Sequence, residues 1–290
     1  MYKKFTGIIT IVLLFCGCSG GGKDNPANNR KNDFQIKGSD TMVNLTQVWA
    51  EEYIKLNPGI NIAVTGGGSG TGIASLISGS CAIAQSSRLM EEKEVARAVE
   101  NGIKPVKYTV AMDGIAVVVN LDNQVVSLTM DELRDIFMCK IINWKEIGGE
   151  DLRIVILSRE VNSGTHVFFK EHVIRRGDRK STDEFSCEAL LMPSSQAIAD
   201  EVKQNPNAIG YYGMGYISPE LKTVAVAKDK KSRPYLPNEK NISAGHYPIS
   251  RPLYLYTDGG SQKIVNDFLD FVMSDKGQAI VKKLDFVPVK

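Results

Sequence analysis

The chain has 290 residues, 43% of them hydrophobic and 23% charged, a globular balance that excludes a disordered, collagen-like or polytopic membrane protein. Its 35 Lys and Arg against 33 Asp and Glu leave a net charge of +2, which excludes a nucleic-acid binder that relies on bulk positive charge. The length suits one large domain or two modest ones.

The chain starts basic, Met1-Tyr2-Lys3-Lys4, and continues with an apolar run over residues 5–15, broken by Thr6, Gly7 and Thr10. A permanent membrane helix needs about 20 apolar residues, so the run reads as a secretory signal peptide over residues 1–17. It ends in Phe15-Cys16-Gly17-Cys18-Ser19, which resembles a bacterial lipobox. Cys18 is the candidate for lipidation, because small Gly17 precedes it whereas bulky Phe15 precedes Cys16; an ordinary signal peptide with incidental cysteines is the alternative. Cleavage before Cys18 removes Lys3 and Lys4 and no acid, which leaves the remainder electrically neutral. Residues 18–32 are Gly-, Asn- and Lys-rich without apolar periodicity and read as a flexible tether.

From Asp33 onward, short strands alternate with amphipathic helices. Strands are expected over residues 34–37, 60–65, 81–84, 106–110, 115–120, 154–157, 209–212 and 253–256. Helices are expected over residues 41–56, from the Gly-rich loop through 78, and over 90–100, 130–137, 164–175, 195–204, 261–273 and 275–283. Leu45, Val48, Trp49, Tyr53 and Leu56 share one face of the first. The rhythm implies an α/β fold with mostly parallel strands.

Three loops share one design. Gly38-Ser39-Asp40-Thr41, Gly66-Gly67-Gly68-Ser69-Gly70-Thr71-Gly72 and Ser158-Arg159-Glu160-Val161-Asn162-Ser163-Gly164-Thr165 each join a strand end to a helix start. A helix start presents unpaired N–H groups and a partial positive charge, Gly lets the backbone approach a ligand, and Ser or Thr adds a hydroxyl donor. Arg159 supplies a planar fork suited to an oxyanion. The alternative for Ser39, Asp40, Ser163 or Thr165 is a plain helix cap. The Gly-rich loop matches neither G-x-G-x-x-G nor a P-loop nor G-x-S-x-G, so nucleotide binding and serine hydrolysis lose their usual signatures.

The segments GSDTMVNL, VTGGGSGTGI, AQSSR, MDGIAVVVN, LRDIF, INWKEIGG, LSREVNSGT, AIGYYGMGY and YPISRPLYLYT, in this order from about Phe34 to Val289, resemble the phosphate-binding proteins of bacterial ABC-type phosphate importers. The resemblance implies a two-lobe periplasmic-binding-protein-like fold of type II, with the ligand in the interlobe cleft. Lobe one would take residues 33–111 and 248–290, lobe two residues 112–247, with Asp113-Gly114 and the region of Tyr247 near the crossovers. It further implies phosphate contacts from Ser39, Asp40, Thr41, Ser69, Ser87, Arg88, Arg159, Ser163, Gly164 and Thr165. One branch of the family has a threonine where Asp40 stands and an aspartate where Ser87 stands. Asp40 either accepts the phosphate O–H, which sulfate lacks, or only caps its helix.

The resemblance thus implies a receptor that binds inorganic phosphate outside the cytoplasmic membrane and delivers it to the transmembrane subunits of an ABC permease. It implies a monomer, not an enzyme, without cofactor, metal or nucleic acid. The lipid anchor would hold it in the cell envelope, facing the periplasm or the extracellular side. A sulfate receptor and a secreted phosphoester hydrolase are the alternatives; the second needs a metal cluster or an activated nucleophile that the sequence does not offer. Cys81, Cys139 and Cys187 are odd in number and lack C-x-x-C or zinc spacing; Cys81 is expected in the core. His166 is expected on a helix surface, Trp49 and Trp144 in packing, and Lys228 to Lys231 in a solvated loop.

Overall fold

The computed structural model describes residues 33–290. The expected signal segment, the lipidation site Cys18 and the tether lie outside the described residues. In chain order the elements are β1 (Asp33–Gly38), α1 (Val43–Leu56), β2 (Asn61–Thr65), α2 (Ser69–Ile77), β3 (Ile83–Ser86), α3 (Glu92–Glu100), β4 (Pro105–Val119), β5 (Ser127–Thr129), α4 (Met130–Phe137) and β6 (Val155–Arg159). There follow α5 (Gly164–Phe169), β7 (Leu190–Met192), α6 (Ser195–Gln204), β8 (Ala208–Gly213), β9 (Lys222–Ala227), α7 (Glu239–Ser243), β10 (Ser250–Asp258), α8 (Lys263–Met273) and α9 (Asp275–Lys283).

The strands form one hydrogen-bonded path, β2-β1-β3-β10-β4-β8-β6-β7, with β9 also on β4 and β5 on β9. β4 divides this path into two halves. Its first part, through Gly114, pairs with β10, and from Ile115 on it pairs with β8 and β9. Within the halves, β1 runs parallel to β2 and β3, and β6 parallel to β7 and β8. The pairings that join the halves through β10 and β4 are antiparallel. The sheet is therefore mixed, not mostly parallel. Alternating strand–helix rhythm reports βαβ units, but it is silent about strands that return across the chain.

Two expected strands around Asp113-Gly114 prove to be one. The pair has extended backbone and continues the ladder to β10 at Asp113↔Arg251 and Gly114↔Ser250. The helix expected over 164–175 is α5 followed by a π-helical turn, Lys170–Ile174. β5, β7, β9 and α7 are additions that the sequence pattern did not reveal; each is short or carries little alternation.

The helices start where the side chains can satisfy free N–H groups. Thr129 and Glu132 make a reciprocal cap on α4, and Ser194 and Ser274 cap α6 and α9. Trp49 is buried and its indole N–H donates to Gly277 O at 2.8 Å, while that of Trp144 donates to Asn207 O at 3.0 Å, so both are packing residues with satisfied donors. Cys81 lies in a small core cluster with Leu76 and Ala84, as expected, and burial pushes its thiol up to about 11.

Candidate functional site

The three loops meet. Ser39 follows β1 and its hydroxyl donates to Ser87 Oγ at 2.9 Å, just beyond the end of β3. Ser69 opens α2; its hydroxyl accepts from Ser87 N at 3.0 Å and lies 3.3 Å from Ser87 Oγ. The third loop brings α5 against this group from the other half of the sheet. A Cβ at Gly164 would stand 2.3 Å from Ser69 Oγ and 2.5 Å from Ser87 Oγ, so only glycine allows this approach. Next to it, Thr165 Oγ1 is 2.9 Å from Thr41 Oγ1. The hydroxyl-bearing side chains of Ser39, Thr41, Ser69 and Thr165 are thus buried at the starts of three helical turns, together with that of Ser87 after β3. Ser163 has the capping role: its Oγ accepts from the backbone N–H of Thr165 and His166 at 3.2 and 3.4 Å.

Arg159 ends β6 and is only 1% exposed. Its fork is fixed by Ser195 Oγ at 3.0 Å, Pro193 O at 3.1 Å and Met192 O at 3.4 Å, all at the junction of β7 and α6. Burial pulls the guanidinium below its ordinary value, and the charge of Asp40 opposes that pull. Asp40 Oδ2 sits 3.3 Å from Arg159 Nη1 and accepts from Ser195 N at 2.7 Å. The carboxylate therefore caps α6 across the site. The cap on its own helix is not made: neither the turn Asp40–Met42 nor α1 has a side-chain cap bond. Tyr216 fixes the same residue by donating to Asp40 O at 2.9 Å.

Two groups of the site were not found by sequence reasoning. Asp113 of β4 and Arg251 of β10 form a buried ion pair, with Nε and Nη2 3.1 and 3.0 Å from Oδ2. Met214 N donates to Asp113 Oδ1 at 3.0 Å. Burial pushes the Asp113 carboxyl up and the Arg251 guanidinium down, against the attraction between them. The available signal was an acid and a base that each adjoin a largely apolar stretch, Val110-Ala111-Met112 before Asp113 and Pro252-Leu253 after Arg251. The second group is Asn162, which bridges to the Gly-rich loop: its Nδ2 donates to Gly67 O at 3.0 Å and Thr71 Oγ1 at 3.3 Å, and its carbonyl accepts from Gly70 N at 3.0 Å. Arg88 sits at the same edge, near Gly70, and forms a bidentate pair with Glu94 at 2.7 Å for both bonds.

His166 differs from its expected surface position. It is 4% exposed, lies 3.3 Å from Ser158 Oγ through Nδ1, and packs on Phe185 with ring centroids 4.6 Å apart. Burial lowers its pKa to about 4, so it is neutral near pH 7. No nucleophile–base pair joins the side chains of Ser163 and His166: Ser163 Oγ accepts the backbone N–H of His166, and the ring Nδ1 lies at Ser158 Oγ instead. Among the described residues no cluster of His, Cys, Asp and Glu is arranged to hold a metal ion.

A model of the PBP superfamily domain matches residues 25–276. The chain is 34% identical over 270 residues to the phosphate-binding protein PstS of Pseudomonas aeruginosa, covering 87% of this chain and 81% of the relative. It is 32% identical over 288 residues to PstS of Bacillus subtilis, covering 96% and 90%. Among solved structures it is similar to a phosphate ABC transporter substrate-binding protein with bound phosphate from Clostridium perfringens, with a TM-score of 0.80, 31% identity and coverage of 89% and 100%. An ABC-type phosphate transport receptor from Vibrio cholerae has a TM-score of 0.68 at 28% identity, with coverage of 88% and 99%.

Proposed function

We infer the function of this chain from one premise: it belongs to the PBP superfamily, in the family of the phosphate-binding proteins PstS. It binds inorganic phosphate and serves phosphate import through an ABC transporter. We propose that the phosphate lies among the buried hydroxyls of Ser39, Thr41, Ser69, Ser87 and Thr165, with Arg159 as its charged donor and Gly164 at the helix start beneath it. The observation that carries this reading is the close approach of Gly164 to Ser69 and Ser87, which sets a helix start of one half of the sheet against two hydroxyls of the other.

Hydroxyls, backbone N–H groups and a guanidinium can donate to all four oxygens of a tetrahedral anion away from water. Asp40 adds the acceptor. Phosphate near neutral pH keeps one O–H, and a carboxylate offers about four lone-pair positions, of which those on Oδ2 serve Ser195 and Arg159. Residues 33–111 with 248–290, and residues 112–247, are the two lobes that open and close around the ligand. The change of partners on β4 at Gly114 and Ile115 supports that division. The protein acts as a monomeric receptor, not an enzyme, outside the cytoplasmic membrane; a lipid on Cys18 holds it there, and the permease subunits take the phosphate from it.

Calorimetric titration with phosphate, arsenate and sulfate, alongside incubation with a chromogenic phosphate ester, tests the reading. Tight binding of phosphate and arsenate, much weaker binding of sulfate and no ester turnover are expected. Sulfate bound as tightly as phosphate would make it a sulfate receptor. Turnover abolished by Ser163→Ala would make it a hydrolase.

A further inference from the structure

The Asp113–Arg251 pair does more than join two strands. Arg251 Nη2, besides its bond to Asp113, donates to Thr165 Oγ1 at 2.8 Å and reaches Thr41 Oγ1 at 3.4 Å. Those two oxygens are 2.9 Å apart and come from different halves of the sheet, Thr41 from the turn after β1 and Thr165 from α5. Arg251 Nη1 is fully buried and has no hydrogen-bond partner among the described residues. Natural structures rarely leave such a donor unpaired outside a functional site.

We propose that Arg251 is a positioning residue of the phosphate site, which holds the hydroxyls of Thr41 and Thr165 as donors toward the bound anion and so ties anion binding to the meeting of the two halves. The proposal rests on the phosphate reading given above. Proton accounting carries it. A guanidinium only donates, so it cannot take the proton of either hydroxyl. Between the two threonines one proton is used in their mutual bond, whichever donates. The lone pair of Thr165 that could hold the remaining proton inward is occupied by Arg251 Nη2. One O–H is therefore left to point at a ligand, and its direction is fixed only while both halves are together. Charge points the same way. Arg159 and Arg251 are both buried, and the charge of Arg159 weighs against that of Arg251. An anion at the hydroxyls stands beside both.

The alternative is a purely structural ion pair, and a double-mutant cycle on the full chain separates the two. Phosphate affinity is measured calorimetrically for the parent, for Thr165→Val, for the charge-balanced pair Arg251→Met with Asp113→Asn, and for all three changes combined. The charge-balanced pair is expected to weaken phosphate binding by about 30- to 100-fold, as for loss of a buried charged donor. Combined with Thr165→Val, it should cost no more than about threefold beyond Thr165→Val alone, the mark of groups acting through each other. Losses that multiply in full, or a charge-balanced pair that binds within about threefold of the parent, overturn the proposal. Arg251→Lys guards against misfolding, since its ammonium keeps the charge beside Asp113 but loses the planar fork. It should weaken phosphate binding by about 5- to 20-fold with an unchanged melting temperature in the absence of phosphate; unchanged affinity refutes the proposal. A parent that fails to bind phosphate sinks the receptor reading itself, whereas a binding parent with equally binding variants sinks only the role of Arg251.

Discussion

Among the places where the two halves of the sheet touch, two are built from opposite materials. At the mouth of the site, Asn162 and the Gly-rich loop exchange hydrogen bonds through groups that are exposed or half-buried. At the crossover, β4 runs unbroken from one half into the other, and Asp113 and Arg251 are 0% and 1% exposed. Hydrogen bonds that water can replace contribute little net, about 0.5–1.5 kcal/mol each. A buried ion pair cannot be opened without stranding charge in the interior. The mouth is therefore the side where the contacts between the halves are the less costly to break, and the crossover the side where they are the more costly.

The largest effect is expected at the crossover. Asp113→Leu leaves Arg251 without its counter-charge, and denaturant unfolding without phosphate should show a loss of about 3–5 kcal/mol. A loss no larger than that of Asn162→Ala would erase the distinction between the two places. At the site between them, Arg159→Ala should cost about 2–5 kcal/mol of phosphate binding, with partial recovery in Arg159→Lys. An affinity within about tenfold of the parent, 1.4 kcal/mol, would place Arg159 outside the site.

Acid should act on the body of the second half and spare the mouth. His166 has its pKa lowered from 6.5 to about 4 by burial. Between those values the unfolded chain binds a proton that the folded chain refuses, so stability rises with pH across this window and falls as acid is added. At about 1.4 kcal/mol per unit, roughly 2 kcal/mol is lost by about pH 5. Melting curves at neutral pH and near pH 5 should diverge more for the parent than for His166→Phe, which keeps the packing on Phe185; equal divergence rules the histidine out. A smaller change is expected at Asp40. Asp40→Asn should weaken phosphate by about 1–2 kcal/mol and strengthen sulfate, because the amide can donate where the carboxylate repels. An unchanged ratio of the two affinities leaves discrimination to other groups. The smallest effect belongs to the mouth: Asn162→Ala should release phosphate about fivefold faster in stopped-flow measurements, near 1 kcal/mol. Release slower than in the parent would show that the Asn162 bonds do not hold the mouth.

The helix-start loops were legible because their composition is local. Gly-rich turns, Ser and Thr at helix starts and Arg159 beside them can be read in one stretch of chain, and the structure brings those loops together. What stayed hidden depends on pairing between distant stretches. Arg251 reads as one charge just before a strand, and Asp113 as part of a gap between two strands, until β10 and β4 are laid side by side. His166 reads as a surface residue because its burial comes from Phe185 and Ser158, outside its own helical face. One of the two readings of Asp40 is a cap for its own helix, and it caps another one that begins at Ser195. In each case the side chain's local pattern was right for a common role and was overridden by a partner far along the chain.

The place of β10 governs how the molecule can be assembled. This strand comes late in the chain, yet it lies between β3 and β4, which are both made much earlier. Until it arrives, β3 and β4 each present an open edge to the surroundings, and an open edge is a template for pairing with another chain. A polypeptide cut short before Ser250 would retain the three loops and Arg159, yet it would not settle into a smaller working body. It would lack the strand that spans the gap, together with Arg251. Folding must therefore wait on contacts of long sequence separation, which are slow to form.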